Sequence, residues 1–194
     1  MFIRAGIVGR PNVGKSTFFN CLLGRTRAIV GDFAGVTRDY KEEILDLKNF
    51  QIQLVDTAGL KSSPITEQDK MINKHTLNLI DQLDIILFVI DAREGVTLED
   101  REIYQVCRKL NKFTLLVANK VETTLIEERF LQEDTKFFGV EDIFCVSSEH
   151  KIGIENVIKT LIDICEENQF QSIKDERIDP VSYTHLTLPT ICSV

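Results

Sequence analysis

The sequence predicts an α/β fold: a mainly parallel, six-stranded sheet with one antiparallel edge strand and helices on both faces. Three observations carry this. Short apolar runs alternate with longer segments of helical periodicity along residues 3–167. The first such pair is joined by Gly9-Arg10-Pro11-Asn12-Val13-Gly14-Lys15-Ser16, a G-x-x-x-x-G-K-[ST] loop. Two runs, Tyr40 to Leu47 and Phe50 to Val55, are separated only by Lys48-Asn49, the spacing of a hairpin.

Taken in order, Ile3 to Val8 is short and apolar, as a buried strand should be, and Thr17 to Leu23 carries Phe18, Phe19, Leu22 and Leu23 at helical spacing. Arg25 to Asp39 has no periodicity and reads as a long mobile loop, a length that is usually functional or disordered. The hairpin follows, then a polar loop from Leu60 to Thr66. Met71 to Leu83 is predicted helical, with Ile72, His75, Leu79, Ile80 and Leu83 on one face. Ile85 to Ile90, closed by Asp91, is predicted as a buried parallel strand. A helix over Leu98 to Leu110 shows Ile103, Val106, Cys107 and Leu110 as its stripe. Thr114 to Ala118 and Ile143 to Val146 are predicted strands. Leu125 to Phe138 and Gly153 to Glu167 are predicted helices.

The chain has 194 residues, enough for one full core, with 43% hydrophobic and 27% charged residues, the balance of an ordinary globular domain. No apolar run approaches the ~18 residues of a membrane span, and the N-terminus lacks a secretory layout. Cys21, Cys107, Cys145, Cys165 and Cys192 are scattered, without C-x-x-C spacing, so buried free thiols in a reducing cytoplasm are expected. The net charge of −7 argues against a broad basic face, and neither DNA nor a membrane is an expected partner. Residues 1–168 are expected to form the domain and 169–180 an acidic linker. Residues 181–194, VSYTHLTLPTICSV, lack any Asp, Glu, Lys or Arg and resemble a translated adaptor scar.

The loop at 9–16 supplies the chemistry of a phosphate cradle. Its glycines admit close backbone approach, inward N–H groups and the following helix N-terminus favour an anion, and Thr17 extends that edge. Lys15 reaches the β- and γ-phosphates, and the Ser16 hydroxyl can bind Mg²⁺. Asp56-Thr57-Ala58-Gly59 is a D-x-x-G at a strand end. Its carboxylate can hold Mg²⁺ through a water and the Gly59 N–H can meet a γ-phosphate. Thr37, in the long loop, is a candidate third ligand to that Mg²⁺. Asn119-Lys120-Val121-Glu122 selects the base. A carboxylate at the fourth position accepts from the ring N–H and exocyclic amine of guanine, whereas adenine would leave it unpaired. Ser147-Ser148-Glu149, after the next strand, can offer a backbone N–H to the guanine oxygen. The bland alternatives are a glycine-rich turn at 9–16 and solvated loops elsewhere; the joint occurrence of the motifs at strand ends favours the nucleotide reading, and Asn119-Lys120 with Glu122 argues against an ATPase.

These motifs resemble a family, the bacterial GTPases grouped with Era and the tRNA-modifying GTPase. Within it the chain is most similar to the first G domain of the Der (EngA) type. The resemblance rests on GRPNVGKSTFFN at 9–20, DFAGVTRD at 32–39, DTAGL at 56–60, ANKVE at 118–122 and SSEH at 147–150. It implies a Ras-like P-loop GTPase fold, GTP and GDP as ligands, hydrolysis of GTP, and a role in large-ribosomal-subunit assembly. Contact with the ribosomal precursor is expected only with further domains that such proteins carry downstream. Lys15, Asn12, Thr37 and Gly59 are the implied catalytic positions. In relatives with an asparagine at the place of Asn12, a potassium ion is thought to sit beside the phosphates, which implies K⁺ as a second cation. Two positions depart from the pattern: Ala34 replaces a usual proline and Glu122 a usual aspartate. Leu60 stands where Ras-like enzymes carry a water-orienting glutamine, so a low-turnover GTP-binding module is the competing reading. An Era-like or tRNA-modifying role is the alternative within the family.

Overall fold

A computed structural model describes residues 3–25, 41–47, 49–57, 59–60, 66–133, 135–139 and 142–167. The predicted loop at 25–39 with Thr37 and Ala34, Ala58, the loop at 61–65, and everything after residue 167 lie outside the described residues, apart from Arg25 at the end of the first helix.

Among the described residues, six strands and five α-helices alternate as expected. They are β1 (Ile3–Val8), α1 (Lys15–Arg25), β2 (Lys41–Leu47), β3 (Phe50–Asp56), α2 (Glu67–Asp81), β4 (Ile85–Asp91), α3 (Leu98–Lys109), β5 (Phe113–Asn119), α4 (Thr124–Glu133), β6 (Ile143–Cys145) and α5 (Ile154–Glu167). The sheet order is β2-β3-β1-β4-β5-β6. β1 lies parallel to β3 (Ala5 opposite Leu54) and to β4 (Ile7 opposite Leu87). Only β2 runs antiparallel, with Leu45 opposite Ile52, so the predicted hairpin does form the antiparallel edge.

Strand alternation divides the core between the two faces. Ile85, Leu87 and Val89 of β4 join Phe18, Leu22, Val157 and Leu161 in one cluster. Ile86, Phe88 and Ile90 join Ile80, Leu83, Ile103, Tyr104, Phe130 and Phe138 in the other. Tyr104 meets Phe88 and Phe138 there edge to face, with Tyr104 and Phe138 centroids 4.7 Å apart.

Three details of the helices differ from expectation. The α2 helix runs from Glu67 to Asp81, its inward stripe holds Thr76, Leu79 and Ile80, and Leu83 is buried just past its end, while His75 falls off the stripe and is exposed. In α3 the buried positions are Asp100, Ile103, Tyr104 and Cys107; Val106 points to solvent because it sits between those turns. The segment predicted as one helix to Phe138 is α4 followed by a 3₁₀ turn at Thr135–Phe137, where the Thr135 hydroxyl donates to the Leu131 carbonyl at 2.8 Å and closes the α pattern. No helix among the described residues is long and apolar enough to cross a membrane. Cys21, Cys107, Cys145 and Cys165 form no disulfide among the described residues, and burial pushes the Cys107 thiol up to about 12.

Because β1 has neighbours on both sides that come later in the chain, the sheet switches direction beside it. The loops after β1, β3, β4, β5 and β6 all leave the same, C-terminal edge. That edge collects every described motif.

Candidate nucleotide-binding site

The loop from Gly9 to Gly14 bridges β1 and α1 as predicted. Gly14 has φ +93°, and a Cβ there would stand 2.5 Å from Asn119 Nδ2, so backbone angle and space both demand glycine. Asn12 has φ +67°, a left-handed conformation asparagine tolerates. Lys15 heads α1, only 7% exposed, and its Nζ donates to the Arg10 carbonyl at 2.8 Å. Burial pushes its ammonium down to about 8, opposed by Asp56 and aided by Arg10. Ser16 and Thr17 stand exposed on the first turn of α1, where the unpaired N–H groups of a helix start also lie. The Arg10 side chain turns away to α3, its Nε reaching Asp100 Oδ2 at 3.2 Å and its Nη2 pairing with Glu94. Asp100 also closes a capping box with Thr97.

The end of β3 packs against this loop. The Thr57 hydroxyl donates to the Ile7 carbonyl at 2.7 Å, and the Leu60 N–H to the Gly9 carbonyl at 3.2 Å. A Cβ on Gly59 would stand 2.7 Å from Pro11 N, so the strand end approaches the phosphate loop as only glycine allows. Leu60 is buried in the core cluster. Asp56 is also buried, and its Oδ1 has no hydrogen-bond partner among the described residues. A buried carboxylate oxygen left unpaired is costly, and a hard oxygen donor of this kind suits a divalent cation.

Asn119 joins the two halves of the site. At 1% exposure, its Nδ2 donates to the Val13 carbonyl at 3.0 Å, while its Oδ1 accepts from Ser148 N–H at 3.1 Å and Ser148 Oγ at 2.8 Å. Only one orientation of the amide satisfies all three. Lys120, with φ +66°, spans the same gap. Its Nζ donates to the Asn12 carbonyl at 2.9 Å and pairs with Asp91 Oδ2 at 2.5 Å. A lysine held left-handed is strained, and such strain persists where neighbours fix it. Val121 is buried and donates its N–H to Val146. Ser147 is buried too, paired through its backbone with Ile152; Glu149 is exposed.

Gly14, Thr17, Asn119, Lys120, Glu122 and Ser148 line a hollow of about 250 Å³. A larger one, about 520 Å³, lies beside β6 between α4 and α5 and holds none of the predicted site residues. Sequence reasoning missed Asp91 and Arg93, which face Lys120 and Glu122. The one available signal was Asp91 itself, a carboxylate closing an otherwise apolar buried strand.

A phosphate loop, a buried aspartate with one unpaired oxygen and a base-sized pocket at one sheet edge define a P-loop GTPase domain. The match to known proteins agrees: residues 4–120 fit the model of the 50S ribosome-binding GTPase family, and the chain belongs to that family. It is 40% identical to GTPase Der of Thermotoga sp. (strain RQ2) over 161 residues, 83% of this chain and 37% of that protein. GTPase Der of Bartonella bacilliformis is 34% identical over 177 residues, 91% of this chain and again 37% of the relative. The chain thus spans little more than a third of the curated relatives it matches. Among solved structures, an Aquifex aeolicus Era variant bound to GDP and AlF₄⁻ superposes with a TM-score of 0.65 at 29% identity, covering 84% of this chain and 57% of that one. Era in complex with MgGDPNP and a segment of 16S ribosomal RNA gives 0.60 at 32%, covering 84% and 56%.

Proposed function

We propose that this domain, in the cytoplasm, binds GTP and GDP and hydrolyses GTP to GDP and phosphate, as part of a protein that acts in large-ribosomal-subunit assembly. The observation that carries the nucleotide reading is Asn119, which ties the phosphate loop at Val13 to the base loop at Ser148. Phosphates and base are then held at a fixed separation by one buried side chain. The assembly role is supported by the family and by the Der relatives.

In this reading Lys15 carries positive charge to the β- and γ-phosphates, backed by the N–H groups at the start of α1. Ser16 and Asp56 would hold Mg²⁺, with Thr37 as the proposed third position; the unpaired Asp56 Oδ1 supports this choice. The cation supplies charge neutralisation at the phosphates when bound. Gly59 offers its N–H toward the γ-phosphate, and Glu122 accepts from the guanine edge.

Leu60 favours a second reading, a binding module with slow turnover. Its side chain is buried in the core and cannot orient an attacking water. Transition-state charge therefore needs another source, which a potassium ion held by Asn12 would supply when bound. Phosphate release from GTP in potassium against sodium, at equal ionic strength, separates the readings. Potassium accelerates the parent at least about tenfold, the size of one modest electrostatic contribution to a transition state, and does little for Asn12→Ala. Equal rates in both salts would leave the slow binding module.

A further inference from the structure

Glu122 does not stand alone at the mouth of the base pocket. Its Oε1 accepts from Arg93 Nη2, and His150 Nε2 lies 3.9 Å from the same oxygen. The Arg93 hydrogen bond, aided by its charge and that of His150, holds the Glu122 carboxyl below its ordinary range. Arg93 is itself anchored through its backbone. Its N–H donates to Asp91 Oδ1 at 3.0 Å. Arg129 of α4 donates from Nη2 to the Arg93 carbonyl at 2.7 Å and to the Ala92 carbonyl at 3.0 Å. Asp91 meanwhile pairs with Lys120. The turn after β4 is thus pinned from both sides, and it carries a guanidinium to the pocket wall.

A glutamate has one more rotatable bond than the aspartate usual at this place. A carboxylate that must present both oxygens to a base at a set angle loses that freedom on binding, unless something has already removed it. Oε1 retains a lone pair after meeting Arg93, and Oε2 has no hydrogen-bond partner among the described residues, so the carboxylate can be fixed and still accept from a ligand.

We propose that Arg93 is the positioning residue for base specificity: by pairing with Glu122 Oε1 it fixes the longer carboxylate so that it meets the ring N–H and 2-amino group of a guanine nucleotide. This rests on Glu122 reading the base, as proposed above. The guanidinium reaches Glu122 and would not reach the carboxylate of an aspartate, which stops one methylene short.

The test compares GDP with IDP, which lacks the 2-amino group, by calorimetry on the full chain, with ADP as reference. Arg93 is half-exposed, so Arg93→Ala leaves the core untouched. In Arg93→Ala the GDP-to-IDP affinity ratio falls about three- to tenfold, the range of couplings between contacting residues. In a Glu122→Asp background, removing Arg93 changes the ratio less than about twofold on the same scale. Equal weakening of GDP and IDP by Arg93→Ala, or an undiminished effect in the Glu122→Asp background, overturns the proposal. If the parent itself does not prefer GDP to ADP, the base reading of Glu122 fails and this inference with it. If that preference holds while Arg93→Ala leaves the GDP-to-IDP ratio unchanged, only the positioning role fails.

Discussion

Replacing Lys15 by methionine is expected to remove tight nucleotide binding and, without nucleotide, to make the domain more stable. Lys15 is nearly fully buried, and burial pushes its ammonium from 10.5 down to about 8, with Arg10 adding to the fall and Asp56 opposing it. The folded-state value lies below the unfolded one, so the unfolded chain holds the extra proton between pH 8 and 10.5. The charged lysine therefore costs the folded state on the order of 3 kcal/mol at neutral pH, and the cost disappears as pH rises through that window. Methionine keeps the stem and discards the charge. It also gives up the bond to the Arg10 carbonyl, a loss of about 1 kcal/mol. The net, about 2 kcal/mol, is a melting temperature about 4–8 °C higher without ligand. Binding changes the other way, since two charge-assisted bonds of about 1.5–3 kcal/mol each correspond to more than about 100-fold in GDP affinity. In the parent, phosphates favour the protonated amine, so GDP affinity falls as pH rises above 8 and binding takes up a proton there. Scanning calorimetry and titration at two pH values check both arms. A mutant that melts well below the parent, or binds GDP as tightly, contradicts the account.

Asn119→Ala is expected to be among the most damaging single changes at the site, though Asn119 contributes little apolar surface. The substitution leaves the Val13 carbonyl and the Ser148 N–H and hydroxyl without their partner in a buried place. Each unsatisfied group costs about 1–3 kcal/mol. A loss of about 3–5 kcal/mol lowers the melting temperature by roughly 10 °C. Saturating GDP does not restore it, because the same change separates the phosphate loop from the base loop. A drop under about 2 °C would mean that water replaces the amide and that Asn119 is no linchpin.

Most of the fold was legible in the sequence because its central strands are buried on both faces and its helices carry one apolar stripe. Ile85 to Asp91 is apolar at every position but the last, and Lys48-Asn49 leaves room for nothing but a tight turn. The phosphate loop and the Asn119 motif were legible because their chemistry is local and their spacing fixed. His75 and Val106 were misplaced because both sit at the margin of a stripe, where a shift of one position changes burial. The 3₁₀ turn after α4 was not foreseen, since Thr135 diverts the backbone through a side-chain bond that periodicity does not reveal. The links from Arg10 to Asp100 and from Arg93 to Glu122 cross 90 and 29 positions of the chain. Such ion pairs leave no trace in a sequence pattern. They become visible once β1, β4 and β5 lie side by side and their loops converge.

The central claim is that this edge of the sheet reads a guanine nucleotide, and the measurement that tests it most directly is a calorimetric titration of the chain with GDP and with ADP in the presence of Mg²⁺. A pocket whose carboxylate must be met by two N–H groups rejects a base that offers neither, so GDP should bind at least about 100-fold more tightly than ADP. Affinities for the two that agree within about threefold, less than one hydrogen bond contributes, would contradict it.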